Sequence, residues 1–176
     1  MSSLIIQEAA NIFLGDDSPD NSKHRSLQSA KLPTLEELTQ QHHGGGAIGA
    51  VEVGGLGLKE LDSTFKLAGW DPQAMSMFGV GGGRQNFTIR GLLRNKDLTN
   101  KAITVRAILN ARLVTITPDE FKRGDLLGHD YALKEIFRYQ LFYDGSEKYF
   151  YDYLTSEWRV DGVDQNAEER AALGIG

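Results

Sequence analysis

Tyr131-Ala132-Leu133-Lys134-Glu135-Ile136-Phe137-Arg138-Tyr139-Gln140-Leu141-Phe142-Tyr143, followed at once by Asp144-Gly145, is the stretch on which the fold turns. Successive side chains of a strand point to opposite faces, so Tyr131, Leu133, Phe137, Tyr139, Leu141 and Tyr143 share one side, interrupted only by Glu135. Asp-Gly closes tight hairpins, because the turn needs positive φ and glycine supplies it without steric cost. Lys148-Tyr149-Phe150-Tyr151-Asp152-Tyr153-Leu154 is then the returning strand. A long hairpin with one apolar face predicts a mainly β domain.

The same period continues upstream. Ile103, Val105, Ala107, Leu109, Ala111 and Leu113 are apolar at alternate positions, and Thr104, Arg106, Asn110 and Arg112 line most of the other side. Residues 117–125 form the connection, as a turn or short helix. From Leu56 to Ala68 the alternation predicts a half-buried strand, with Leu61, Ser63, Phe65 and Leu67 on one face and Glu60, Asp62, Thr64 and Lys66 on the other. Asp71 as N-cap, Pro72 in the first turn and Gly79 past the end bracket a two-turn helix, whose Ala74, Met75 and Phe78 are predicted to pack on the sheet.

Toward the start, Ala10 to Leu14 reads as a short strand before the turn formers of residues 15–21, and Leu27 to Leu35 as an irregular one. Residues 38–56, with His42-His43-Gly44-Gly45-Gly46 ahead of Val51-Glu52-Val53, break all periodicity and read as a long, flexible excursion. After Asp161-Gly162-Val163-Asp164, residues 167–173 are either a short helix behind Asn166 or extended chain.

The totals narrow the classes. A chain of 176 residues suits one domain, 1–176, and 40% apolar with 24% charged residues argues against general disorder. Its apolar runs are far shorter than a membrane span needs, and the start lacks the basic and apolar segments of a secretory signal, so synthesis in the cytoplasm with no membrane anchor is expected. Without cysteine there are no disulfides, thiolate metal sites or thiol nucleophiles. A formal charge of −5 argues against gripping phosphate backbones. Twenty glycines against four prolines imply many tight turns.

Motifs for chemistry fail on spacing. Gly79-Val80-Gly81-Gly82-Gly83-Arg84 lacks the third glycine of a dinucleotide fingerprint and the Gly-Lys-Ser/Thr of a phosphate loop, and it follows a helix rather than opening one. His42 and His43 are adjacent, so their side chains diverge, while His24 and His129 are isolated. Asp16, Ser18 and Asp20 mimic the start of a calcium loop, but Asn21 stands for the turn glycine and Leu27 for the bidentate glutamate. There is no Gly-x-Ser-x-Gly elbow, and the pairs Asp16/Asp17, Glu36/Glu37 and Glu168/Glu169 lie in polar segments as solvated charge. No catalytic role, cofactor or metal is expected.

Several segments in order resemble the major tail tube protein family of contractile-tailed phages and R-type tailocins. They are residues 10–15 (Ala-Asn-Ile-Phe-Leu-Gly), 31–37 (Lys-Leu-Pro-Thr-Leu-Glu-Glu), 65–69 (Phe-Lys-Leu-Ala-Gly), 119–125 (Asp-Glu-Phe-Lys-Arg-Gly-Asp), 131–134 (Tyr-Ala-Leu-Lys) and 160–165 (Val-Asp-Gly-Val-Asp-Gln). The resemblance implies a β-sandwich or barrel-like tail tube fold with one flanking short α-helix and a long loop excursion. It also implies six copies in a ring, strands of each lining an inner barrel, and rings stacked into a tube. The implied partners are the tail sheath protein outside, a baseplate hub and a tail terminator at the ends, and tape measure protein and DNA in the lumen without specific binding. The implied location is the virion tail, assembled in the bacterial host cytoplasm.

Within that expectation, Glu60 and Asp62 are the candidates for the lumen wall, and six copies at −5 give about −30 formal charges per ring. Arg106 and Arg112 are expected to pair with acids of a neighbour. Contacts between copies are assigned to Gly44, Gly45, Gly46, Val51, Glu52 and Val53 of an assembly loop at 38–56, and to Trp158, Arg159, Asp161, Asp164 and Gln165 around a C-terminal tail at 159–176. The competing expectations are a monomeric β-barrel that binds a ligand or carbohydrate, and an enzyme whose site is assembled from distant residues.

Overall fold

The computed structural model describes residues 4–97 and 99–175. The first three residues of the expected domain, Leu98, and the last residue of the expected tail lie outside them. The described residues form a nine-stranded sheet and a separate two-stranded one.

The strands are β1 (Ile5–Leu14), β2 (Leu27–Lys31), β3 (Gln40–His42), β4 (Val51–Val53), β5 (Ser63–Ala68), β6 (Gln85–Asn95), β7 (Ala102–Pro118), β8 (Gly128–Tyr143), β9 (Ser146–Asp152), β10 (Glu157–Val160) and β11 (Val163–Asp164). Two helices, α1 (Pro72–Ser76) and α2 (Ala167–Leu173), flank them. Along the main sheet the order is β1-β6-β7-β8-β9-β10-β11, while β5 also pairs with β8 and β2 with β5. All these pairings are antiparallel.

Strands β7 and β8 belong to two layers. The first half of β7 pairs with β6, and its second half, from Arg112, pairs only with β8. Likewise, β5 lies along residues 128–133 of β8, and β9 along residues 138–143. The change of layer falls at a bulge, where the step from Asn110 to Arg112 on β7 spans Arg138 to Lys134 on β8. Glu135, the residue that breaks the alternation in the sequence, sits there with φ of 50°. A bulge bends a strand and increases its twist, which folds the sheet over itself.

The result is a sandwich of a four-stranded layer, β2-β5-β8-β7, against β1-β6-β7-β8-β9-β10-β11. Phe65 of β5 and Phe87 of β6, strands that are not neighbours, meet with ring centroids 6.4 Å apart. Tyr131 stacks on Phe65 at 4.8 Å. Ile12, Leu14, Leu67, Leu109, Leu113, Leu133 and Tyr139 complete a buried core, each large side chain contributing about 1.5–3 kcal/mol.

Local rules account for the connections. Asp144 and Gly145 have φ of 49° and 83°, as the hairpin turn requires. Asp71 accepts a hydrogen bond from the Ala74 N–H at 2.9 Å and caps α1. The helix spans five residues rather than two full turns. It buries Ala74 and packs Met77 on the core, whereas Met75 and Phe78 face solvent. The predicted Met75/Phe78 face is thus corrected, because so short a helix turns only Ala74 and Met77, three residues apart, toward the sheet.

Other sequence expectations shift as well. The first strand begins at Ile5, the second stops at Lys31, and β5 begins only at Ser63. The excursion at 38–56 carries an antiparallel hairpin, β3–β4, in which Gln40, Gln41 and His42 face Val53, Glu52 and Val51. The chain after Asp161 turns into β11 and then α2, which ends at left-handed Gly174 with φ of 67°.

Candidate assembly surfaces

Besides the outer side of the two-residue β11, three margins of the sandwich are left without a strand partner among the described residues. In the four-stranded layer they are the outer margin of β2 and that of β7 from Arg112 to Pro118. In the other layer it is the outer margin of β1, free from Ile5 to Asn11, beyond which Lys23 N–H donates to the Ile12 carbonyl at 2.9 Å. A free margin presents a row of unpaired N–H and C=O groups.

Glu60 and Asp62 lie just before β5 on its outward side, continuing the row of Thr64 and Lys66, since Leu61 and Ser63 are buried. With Thr34, Glu36, Lys59 and Lys134 they line a shallow depression of about 300 Å³. Lys66 reaches Asp119 at 2.7 Å and Asp130 at 3.2 Å. The Lys66 hydrogen bond holds the Asp119 carboxyl below its usual value. Arg106 and Arg112, expected to pair with a neighbour's acids, both find partners in their own chain. Arg106 meets Asp17 at 2.7 Å and Arg112 meets Glu135 at 3.3 Å, the latter because the bulge turns Glu135 outward.

The excursion candidates stand apart from the sandwich. Val51 and Val53 are exposed, Glu52 lies between them, and Ile48 at the tip is fully exposed. A Cβ added at Gly45 or Gly46 meets nothing within 4 Å, and one at Gly44 meets only Ala47 at 3.7 Å. Their own chain therefore makes no steric demand for glycine at these three positions.

The other set is bound into the β9–β11 region. Trp158 stacks on Tyr149 at 5.7 Å, and its N–H donates to Asn166 Oδ1 at 3.0 Å. Arg159 bonds Glu147 at 2.9 Å and Glu157, and its guanidinium lies 3.8 Å from the Phe150 ring. Arg159 thereby lowers the Glu147 carboxyl against the opposite effect of burial. Asp161 pairs with Lys148 at 2.7 Å, Asp164 with Arg170 at 2.5 Å, and exposed Gln165 donates to the Val163 carbonyl at 3.0 Å. Trp158 and Gln165 also line an open groove of about 820 Å³ with Leu58, Tyr151 and Tyr153. None of the excursion candidates lines this groove, although Glu37, Gly55 and Gly57 at the foot of the excursion border it.

Asp152, at the same place, is 2% exposed. Burial by itself raises its carboxyl, but Arg138 at 2.6 and 2.8 Å and the N–H groups of Thr155 and Leu154 outweigh it, and the net shift is downward.

Sequence reasoning missed the first turn of β1. Leu4, Ile5 and Ile6 are exposed beside a free margin, and their run of three apolar residues was the only signal. It also missed two charge clusters on the sheet face beside β1 and β6. Glu8 takes both Arg94 at 2.8 Å and Lys96 at 2.5 Å, and Asp17 takes both Arg90 at 2.5 Å and Arg106.

The profile of a family described as phage tail tube protein FII matches residues 17–174. The fold is similar to that of a sheath/tube terminator of an extracellular contractile injection system, PVC, in the extended state. The TM-score is 0.52 at 11% identity, over 76% of this chain and 93% of the other. A chain of the sheath–tube complex of that system in the extended state gives a TM-score of 0.50 at 12% identity, over 76% and 88%. No curated protein matches the chain.

Proposed function

The chain belongs to the phage tail tube protein FII family, and on that premise we propose how this structural tail protein builds its tube. Six copies close into a ring by joining the free margin of β2 in one copy to that of β7, Arg112–Pro118, in the next. Rings then stack around an open bore. The observation that carries this reading is the four-stranded layer with an unpaired margin on each side. Such a layer satisfies its backbone only by pairing around an axis, and contacts between two different patches generate closed rings.

The outward face of that layer then lines the bore, with Glu60 and Asp62 in the wall. Lys66 is held by Asp119 and Asp130, so it offers little free charge to phosphate. Each charge acts over only about 8 Å at physiological salt, and the duplex slides through without specific binding. Tape measure protein occupies the bore before DNA. The excursion at 38–56 orders on a neighbour, as do Trp158, Arg159, Asp161, Asp164 and Gln165.

The two PVC components come from a contractile system, which supports placing a sheath outside this tube, with a baseplate hub and a terminator at its ends. Assembly takes place in the bacterial host cytoplasm, without a membrane anchor. No helix among the described residues is long and apolar enough to cross a membrane. The role is structural rather than catalytic.

Electron microscopy of the purified chain over a concentration series tests this reading. Six-membered rings and stacked tubes are expected. Monodisperse monomers at every concentration, with no ring in assembled tails, refute it.

A further inference from the structure

We propose that the β3–β4 hairpin of one copy adds as extra strands to the free margin of β1 in a copy of the adjoining ring. The proposal rests on the tube reading and names the acceptor that the excursion orders on.

The hairpin is tied to its own chain at its foot, where Glu37 bridges Leu58, the Leu38 N–H donates to the Gly57 carbonyl at 2.8 Å and the Lys59 N–H to the Glu36 carbonyl at 2.8 Å. It is a two-stranded sheet of three residue pairs, all six residues exposed, and no other strand flanks it among the described residues. Isolated two-stranded hairpins are marginal in water and gain stability from a third strand with an apolar face. Val51 and Val53 supply such a face, on the side of β4 opposite Glu52.

Ring closure uses the margins of β2 and β7, which leaves β1 and the two-residue β11, the latter shorter than the three-residue β4. The unpaired stretch of β1 from Ile5 to Asn11 is longer than β4, and exposed Ile5 and Ile6 lie along it. A free margin with exposed apolar side chains invites strand addition.

Charge selects the same pairing. The excursion itself, residues 38–56, holds one acid, Glu52, and no lysine or arginine. On the sheet face beside β1, Glu8 takes Arg94 of β6 and Lys96 just past it, whereas Asp17, beyond the end of β1, takes Arg90 of β6 and Arg106 of β7. The Glu8 cluster keeps a surplus positive charge beside the margin, and an incoming Glu52 meets it. Opposite potentials of this sort steer encounter and fix register. Gly44, Gly45 and Gly46, which their own chain does not require, then allow the tip to lie close against the neighbour's backbone.

The chain has no cysteine, so cross-linking reports the contact directly. Six double variants combine Ile5→Cys, Ile6→Cys or Ala10→Cys on β1 with Val51→Cys or Val53→Cys on β4, which covers both faces and a slip of register. Tubes are assembled, oxidised, sedimented and run without reductant. A covalent ladder of chain multiples from at least one pair, abolished by reductant and absent from every single variant, is the expected result. Tubes that assemble normally while no pair bridges, or whose β1 cysteines bridge to sheath instead, overturn the proposal and leave the tube reading standing. If the unaltered chain forms neither rings nor tubes, the tube reading fails and this proposal with it.

A second measurement needs no cysteine. Glu52→Lys is expected to raise the critical concentration for stacking about three- to fivefold at low salt, with the difference shrinking at high salt. The melting temperature of the free subunit stays unchanged. An unaltered critical concentration overturns the proposal.

Discussion

Two glycines of this chain are predicted to respond in opposite ways to the same methyl group. A Cβ at Gly128 stands 2.2 Å from the Leu67 carbonyl oxygen and 3.1 Å from its carbon, both backbone atoms. Ordinary contact needs roughly 1 Å more, so β5 and β8 must separate. Little can give. Leu67 is fully buried, Gly128 faces Ala68 in the ladder, and its N–H and C=O are tied to Asp119 at 3.0 and 2.9 Å. Overpacking against backbone on this scale is expected to cost about 2–4 kcal/mol in Gly128→Ala. For a domain of this size that lowers Tm by about 5–15 °C. At Gly45 there is nothing within 4 Å, and Gly45→Ala should leave stability within about 0.5 kcal/mol. Thermal unfolding by circular dichroism, on subunits kept dilute enough to stay monomeric, compares the two. A Gly128→Ala melt within about 2 °C of the unaltered chain, or equal losses at both positions, refutes the reasoning.

Asp152→Ala loses the Arg138 bonds and both turn N–H partners. Because Arg138 is largely exposed and rehydrates, about 2–3 kcal/mol is expected, with roughly half of that in Asp152→Asn, whose amide oxygen still accepts from the turn; urea unfolding measures both. Asp17, Asp152 and Glu147 all have carboxyls held below their ordinary values in the folded chain. They contribute stability above the unfolded carboxylate range, near pH 4, and lose it as pH falls through their lower folded values; urea midpoints at neutral and acidic pH should therefore drop in that window, and a flat profile contradicts the assignment. Glu60→Lys with Asp62→Lys should leave tubes assembled while slowing genome passage, measured as ejection kinetics; unchanged kinetics from well-formed tails remove these two residues from the bore wall.

The fold was legible where one face is buried and the other wet. Ile103 to Leu113 alternates without a fault, and its partner from Tyr131 faults only at Glu135, where the structure turns the strand into its second layer. Alternation reports a face, not the element behind it. Glu60 and Asp62 therefore follow the parity of β5 without being in the strand. The hairpin β3–β4 and the first residues of β1 gave no periodic signal, because all of their residues are exposed within one copy. The ion pairs were hidden for a different reason. Glu8 lies 86 and 88 residues from the cations it holds, and Asp17 lies 73 from Arg90, separations that only the sheet register brings together.

The bulge at Glu135 explains how so short a chain carries two kinds of free margin. A strand pair that stayed straight would place β6 and β5 in one flat sheet, with only its two ends open and its core face uncovered. By changing layer midway, β8 serves β5 and then β9 on its outer side, while β7 serves β6 and then no strand. The half of β7 that leaves β6 behind thereby becomes a margin without being a chain end. The small layer gains open margins on both sides, while the large layer keeps its own at β1. One pair can then join copies around the axis and the other can join them along it, with the core sealed between the layers by Phe65, Phe87 and Tyr131. If the bulge is what separates the two functions, deleting Glu135 and Ile136 together should restore a continuous ladder and abolish ring formation even in whatever fraction of the protein remains folded.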